Sequence, residues 1–515
     1  MDDTSACQPV HRHPVKEAIG SEGGRSMEED WVMLERLVFR RNGGGGDKPL
    51  PENETTAASS TSIGFPFRVS LGLVFRPSIS RFYLEWPGGP KEEIGNSCHL
   101  VAAHRECVLF RLTSIVRSKT RPQYLIYPDD YYIYRPAAGD LKRLPTCIIP
   151  VAAAEKREQK HQDKLDPISS ESSESSESES GDDEIVVTEE MKWSAKKAQE
   201  EYEEMLAMGV DVDQEVVPSS LVMGRIGLVC LESTGSQGGG DEFVVAELRL
   251  NKLKHRKAVS AELSLFRSSA CDWVHMMPLP IHCSNKHDSS SLRHFSIQTV
   301  VPSGDCGLCW VDYRGSGIII AKNLLEQTPS LSYIPLPRAP PSGQEPKLRS
   351  VCATAGHGCS LKFIDVVVEK KPFGSDFTFT ITSYKRIIAT QDGTMKWEKE
   401  TSMTSDEMWA LKAPGRVPHV VPKFPLVCQD KPQIIHFQLS ECTDYIDTVT
   451  LVAIDMSARA VVSVFTHIKG EQELRGEDAD VAGARTRLPK PFLGATFSKS
   501  LISGHVNLRK RKNQS

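Results

Sequence analysis

The chain predicts a mainly β protein of propeller-like repeats, interrupted by a disordered acidic insertion that carries one amphipathic helix. Three observations lead there. Short runs rich in β-branched and aromatic residues, broken by Gly, Pro, Asn and Asp, fill most of the chain, which is the strand-and-turn signature. About twenty such runs occur with no helices interleaved among them, the pattern of an all-β architecture. A strand–turn–strand unit also recurs, reading YYIYRPAAGDLKRLP at 131–145, LSLFRSSACDWVHMMPLP at 263–280, GIIIAKNLLEQTPSLSYIPLP at 317–337 and LVAIDMSARAVVSVF at 451–465. The first three close on Leu-Pro, and the last two Leu-Pro pairs are spaced at roughly one blade of about 50 residues. Repeats of that size favour a propeller over a sandwich, because each blade needs neighbours to bury both of its faces.

Taken in order, residues 1–28 are polar and expected to be disordered. The first part of the β domain, 29–151, opens with WVMLERLVF at 31–39, a strand expected to complete a blade with C-terminal strands and so close the ring. Flexible RRNGGGGDKPLPENETT follows, and then the strand-like IGFPFRVSLGLVF, SRFYLEWPGG and RECVLFRLTS. Residues 152–218 break the pattern, since EKREQKHQDKLDPISSESSESSESESGDDE holds too few apolar residues to bury a core. Within this insertion a helix is expected over 188–208. Thr188 would be its N-cap, Gly209 its stop, and Met191, Ala195, Ala198, Tyr202 and Met205 one apolar stripe. The second part of the β domain spans 219–468, and the polar tail 469–515, also expected to be disordered, ends in NLRKRKNQS.

Composition narrows the function classes. Apolar residues make up 39% of the 515 and charged residues 25%, ordinary for a soluble protein with a sizeable core. A net charge of −5 disfavours nucleic acid and acidic membranes as partners. No run approaches the eighteen or so apolar residues that span a bilayer, and MDDTSACQPVHRHPVKEAIG lacks the apolar stretch of a signal peptide. A soluble protein of the nucleus and/or cytoplasm is therefore expected. Thirteen cysteines scattered among apolar runs read as free thiols in a reducing compartment.

Neither a G-x-S-x-G, a phosphate-binding Gly-rich loop nor an H-E-x-x-H is present, so no catalytic residue and no cofactor is assigned. Cys306 and Cys309 form a Cys-x-x-Cys that runs into a strand pattern rather than the helix a redox pair needs. With Cys283 and His287 the two could supply four zinc ligands, although Cys309 lies in an expected buried strand and 284–291 reads as a loop. In the insertion, Ser176 and Ser180 each have an acid three residues on, as acidophilic kinases prefer. Ile185, Val186 and Val187, flanked by acids, resemble a SUMO-interacting motif or simply lead into the helix. Arg509, Lys510, Arg511 and Lys512 read as a nuclear import signal or a solubilising end.

A family resemblance lies on the same residues. WVMLERLVF, NETTA, DYYIYRPAAGDLKRLP, DEFVVAELRL, LSLFRSSACDW, CWVDYRGSGIIIAKNL and YIPLP together resemble the blocks of a plant family, large in the grasses, known as domain of unknown function 1618. The resemblance implies a named domain at about 310–450 and brings no activity with it. Trp310, Asp312, Gly315 and Gly317 are the family-like positions, with a structural role implied. The opening repeat is also similar to the strand-Pro-turn-Leu-Pro units of F-box-associated propeller domains. The expected function is a non-enzymatic protein-interaction scaffold with unidentified protein partners, in the manner of a substrate-recognition module. The alternative is an enzyme or zinc-binding protein using the Cys/His cluster at 283–309.

Overall fold

Antiparallel meanders account for most of the computed structural model. It describes residues 29–41, 49–90, 97–117, 125–150, 216–218, 220–231, 242–252, 259–284, 286–303, 307–315, 317–354, 360–370, 377–388, 395–443, 446–468, 491–499 and 501–502. β1 (Glu29–Arg40) lies parallel to the last strand of the meander β2 (Ala57–Ser60), β3 (Pro66–Gly72) and β4 (Ile79–Glu85). The second sheet is β5 (Cys98–His104), β6 (Cys107–Thr113), β9 (Asp129–Arg135) and β10 (Asp140–Arg143), with the small ladder β7 (Val116–Arg117) and β8 (Leu125–Ile126) beside it. β11 (Ile148–Pro150) pairs with β12 (Val216–Pro218), which sets Pro150 opposite Val216.

The third sheet runs β13 (Ile226–Leu231), β14 (Glu242–Lys252), β15 (Val259–Arg267) and β16 (Asp272–His282). The fourth is β17 (Thr299–Ser303), β18 (Gly307–Asp312), β19 (Gly317–Lys322) and β20 (Ser330–Ile334), joined to the third through two parallel pairs at Ile281 and His282. The fifth contains β21 (Arg349–Thr354), β22 (Ser360–Lys370), β23 (Phe377–Ile388) and β24 (Met395–Thr404). The sixth contains β25 (Lys423–Val427), β26 (Ile434–Thr443), β27 (Ile446–Asp455) and β28 (Ala460–Ile468). β29 (Leu493–Ser498) then returns to pair antiparallel with β1. Among the described residues, two short α-helices, α1 (Lys286–Ser291) and α2 (Ser405–Trp409), sit between strands. A full capping box of Thr404 and Glu407 starts α2.

Side chains on a strand alternate between faces, and here both faces of each sheet are apolar. β18 shows it best: Leu308 and Trp310 pack toward the third sheet, while Cys309 and Val311 pack toward the fifth. Six inter-sheet cores follow in order. Phe82 and Leu84 meet Phe110 and Tyr132 between the first and second sheets. Leu109 and Ile133 meet Val245 and Phe266 between the second and third. Leu263 and Ala246 meet Trp310 and Ile319 between the third and fourth. Ile318 and Ile320 meet Leu361 and Phe363, and Ile364 and Ile381 meet Phe437 and Val452. The sixth core brings the sixth sheet back to the first, with Ile434, Leu451 and Ala453 against Trp31, Met33 and Ile79.

The four repeated segments read from the sequence are equivalent pieces of this arrangement. Each is the hairpin of third and fourth strands in its sheet: β9–β10, β15–β16, β19–β20 and β27–β28. The strand at 31–39 pairs not with the strands that end at 468, which form a sheet of their own, but with β29. The tail differs from expectation. Residues 493–498, assigned to a polar tail, form β29, with Phe497 fully buried and Leu501 and Ile502 packed behind it. Their apolar residues are few and lie among polar ones, and most of what buries them comes from β1 and the second sheet, far away in sequence.

Phe497→Ala is expected to lower the unfolding free energy by about 3–5 kcal/mol, the cost of emptying an aromatic core site. In the same urea titration the exposed Val462→Ala should stay within about 0.5 kcal/mol of the parent.

Candidate functional site

The first strand of each sheet from the second to the sixth packs beside the next, in the order β5, β13, β17, β21, β25, and both β1 and β29 pack beside β5. Residues of β1, β5, β17, β21, β25 and the segment entering β29 surround a cavity of about 320 Å³. Its walls are mainly apolar, among them Val101, Val300, Val351, Leu426 and Phe492. A pocket of this kind sits at the small end of the range for small-molecule sites, roughly 300–1,000 Å³.

Three of these strands are irregular where they reach the cavity. The β1–β4 register shifts between Leu34 and Val38, and Arg36 lies in that shift. The β5–β6 register shifts at Val101. The β25–β26 register shifts between Lys423 and Leu426, and there Phe424 takes a positive φ of 50°. Bulges re-aim side chains and collect beside functional sites, and a left-handed aromatic residue is a local strain that its surroundings must hold. The pairing of β1 with β29 ends at Leu34, so Arg36 emerges just past the stretch that β29 covers.

Among the described residues, three cationic side chains line the cavity, and two are committed elsewhere. Arg349 is fully buried. Its Nε donates to Asp365 Oδ1 at 3.0 Å and its Nη1 to the Tyr313 carbonyl at 2.9 Å. Lys347 is paired with Glu345. Arg36 makes no hydrogen bond or ion pair within the described residues, and its Nε is buried without an acceptor. Burial pulls its pKa down to about 10, against the opposing field of Glu35, so it remains a cation at neutral pH. The Glu35 carboxylate is occupied: Oε2 lies 3.1 Å from His467 Nε2 and Oε1 accepts from the Leu37 N–H at 3.3 Å. Gln298 accepts the Tyr313 N–H through Oε1 at 2.5 Å. A backbone N–H can only donate, so the Gln298 amide nitrogen is turned away from it.

Beside the cavity, Cys428, Asp430, Arg76 and His436 gather. The Cys428 thiol donates to Asp430 Oδ1 at 2.8 Å, and Arg76 reaches both residues, at 2.7 Å to Sγ and 2.9 Å to Oδ2. Burial pushes the Cys428 thiol up to about 12 and pulls His436 down to about 4, with the Arg76 charge adding to the latter. At neutral pH this is a buried neutral thiol near a neutral imidazole, the opposite of an activated thiolate–imidazolium pair.

The residues singled out from the sequence fall into three groups. Trp310, Asp312, Gly315 and Gly317 shape one turn of the fourth sheet. Trp310 is buried and donates through Nε1 to the Arg225 carbonyl at 2.7 Å, tying β18 to the third sheet. Asp312 is buried and accepts from the Ser296 and Arg314 N–H groups, both at 2.9 Å. Gly317 has φ +140°, and a Cβ there would lie 2.3 Å from the Ile334 carbonyl, so both conformation and space demand glycine. Cys283 and Cys309 are not brought together. Cys309 is buried on the face toward the fifth sheet, whereas Cys283 packs with the core shared by the third and fourth. His287 lies in α1, and Cys306 lies outside the described residues. No group of three or more His, Cys, Asp or Glu side chains among the described residues is placed to hold a metal ion. Ser176, Ser180, Ile185, Val186, Val187, the helix expected at 188–208 and Arg509–Lys512 also lie outside the described residues. No helix among the described residues is long and apolar enough to cross a membrane.

The sequence pointed to none of the cavity residues. Arg36 stands in an apolar strand as an ordinary exposed-face charge would, and only the bulge and the end of β29 turn it inward.

Two outcomes follow from these buried groups. Asp365→Ala leaves the Arg349 charge buried and should cost about 3–5 kcal/mol of stability, most of it recovered in Arg349→Met/Asp365→Leu; a double-mutant cycle in urea reads both. His436 binds a proton less readily folded than unfolded. Its contribution is therefore complete above the ordinary pKa of 6.5 and is lost as pH falls toward about 4. The urea midpoint should fall across that window, with a shallower slope in His436→Phe.

Residues 310–436 match a family model described as a protein of unknown function, DUF1618. No curated protein matches the chain. The matched segment starts at Trp310, runs through the Asp312–Gly317 turn and the whole fifth sheet, and ends at His436 in β26. Over residues 310–436 the chain matches the DUF1618 family.

Proposed function

We propose that the chain is a non-enzymatic protein-interaction scaffold whose six sheets act as the blades of a β-propeller and whose loops on one face take a protein partner. The supporting observation is the cycle of six inter-sheet cores, the last of which packs Leu451 and Ala453 back on Trp31 and Met33. A ring built this way presents connecting loops at its two ends on a rigid support, the usual place for binding residues. Titratable clusters inside it are tied into internal pairs, as with Arg349–Asp365 and Glu35–His467.

The acidic segment fits this role as a regulator. The strands that flank it pair in the β11–β12 ladder, with Ile149 and Leu221 packed into the core between second and third sheets. Phosphorylation at Ser176 and Ser180 would add about −1.5 to −2 charges each to the acidic segment. Arg509–Lys512 would serve import into the nucleus.

Affinity purification with cross-linking mass spectrometry tests the scaffold role, using the full chain and a chain lacking 152–215, which keeps the β11–β12 ladder. The expected result is the same partners from both, cross-linked to loops of one face. Partners that disappear with the deletion would move recognition to the acidic segment. Stoichiometric zinc in the purified chain, lost in Cys306→Ser, would contradict the metal-free scaffold.

A further inference from the structure

Two buried donors on residues lining the same cavity have no acceptor among the described residues: Nε of Arg36 and Nε1 of Trp31. Buried polar groups are nearly always satisfied, and an uncompensated buried charge costs far more than an unpaired neutral group. Among the described residues, the cavity's other two cations are neutralised by Asp365 and Glu345, and no carboxylate lines it. One positive charge is therefore left facing a space walled by Val101, Val300, Leu426 and Phe492. The placement of that charge is built into the fold: the register shift in β1 and the end of β29 at Leu493 together bring Arg36 to the cavity.

The chemistry selects the ligand. A guanidinium fork matches a carboxylate through two parallel hydrogen bonds. The apolar walls suit an aliphatic or aromatic body, and Gln298, which also lines the cavity, has an amide nitrogen free to donate. A phosphate dianion would bring a second negative charge into a site where the described residues leave one free cation, without a partner for it.

We propose that the cavity at the centre of the sheet ring binds a small organic monocarboxylate, its carboxylate on the Arg36 guanidinium and its apolar body against Val101, Val300, Leu426 and Phe492. This small-molecule site lies apart from the loops assigned to a protein partner and depends only on the ring geometry.

Titration calorimetry and saturation-transfer NMR on the full chain test it, with benzoate, phenylacetate and hexanoate as probes and with benzamide and inorganic phosphate as controls. At least one carboxylate should bind with a Kd of about 1 mM or tighter, and benzamide at least about tenfold more weakly. Arg36→Met should weaken carboxylate binding by roughly tenfold to a hundredfold, the loss of a charge-assisted contact, while Arg36→Lys keeps part of it. If Arg36→Met does not fold, the carboxylate–amide comparison on the unaltered chain, with Arg36→Lys beside it, decides. The proposal is overturned by silence from all three carboxylates, by equal binding of benzoate and benzamide, by unchanged affinity in folded Arg36→Met, or by phosphate binding more tightly than any carboxylate. Partner recovery by folded Arg36→Met in the cross-linking experiment reads the scaffold role separately, because that variant leaves the loops intact.

Discussion

Antiparallel pairing of β1 with β29 is the interaction on which the rest of the structure depends. A sheet that is apolar on both faces is unstable alone and must be covered twice, and every sheet here is of that kind. Five inter-sheet cores can form between successive segments of chain. The sixth needs the first sheet to be complete, and β29 completes it by adding Ala495 and Phe497 to one face while Phe492 joins the other. The entropic cost of bringing such distant strands together grows only slowly with the length of chain between them. The burial that results is shared by two cores at once.

Polar chemistry follows from the same closure. Glu35 faces the sixth sheet and finds His467 there only because the ring is shut, and Arg349 is neutralised by Asp365 across the neighbouring strand. Cys428, Asp430 and Arg76 satisfy one another at the same seam, where Arg76 also stacks 5.2 Å over the Trp31 ring. Arg36 is the exception, a cation with no hydrogen-bond or ion-pair partner among the described residues. Its position beyond the end of β29 ties the cavity's chemistry to the seam that closes the ring.

Much of the fold was legible in the sequence because its causes are local. Runs such as LSLFR and GIIIA carry β-branched and apolar residues on both faces, and that continuous character marks strands buried twice. The repeated hairpins were visible because each has its own turn residues, whereas the need for glycine at 317 comes from a carbonyl remote from the turn, that of Ile334. What was not legible depends on neighbours remote in sequence. β29 contributes few apolar residues of its own and is defined by its partner β1. Cys283 and Cys309 are close in sequence, and alternation along β18 sends Cys309 to the far face. Bulges at Arg36, Val101 and Phe424 leave no local signature, so the cavity they border could not be read from composition or spacing.

Amide hydrogen exchange of the full chain, read by mass spectrometry, tests the closed ring most directly. Amides of 493–498 should exchange as slowly as those of 31–34, because the two strands share one ladder and can open only together. Rapid exchange at 493–498 beside a protected 31–34 would contradict a ring closed by β29.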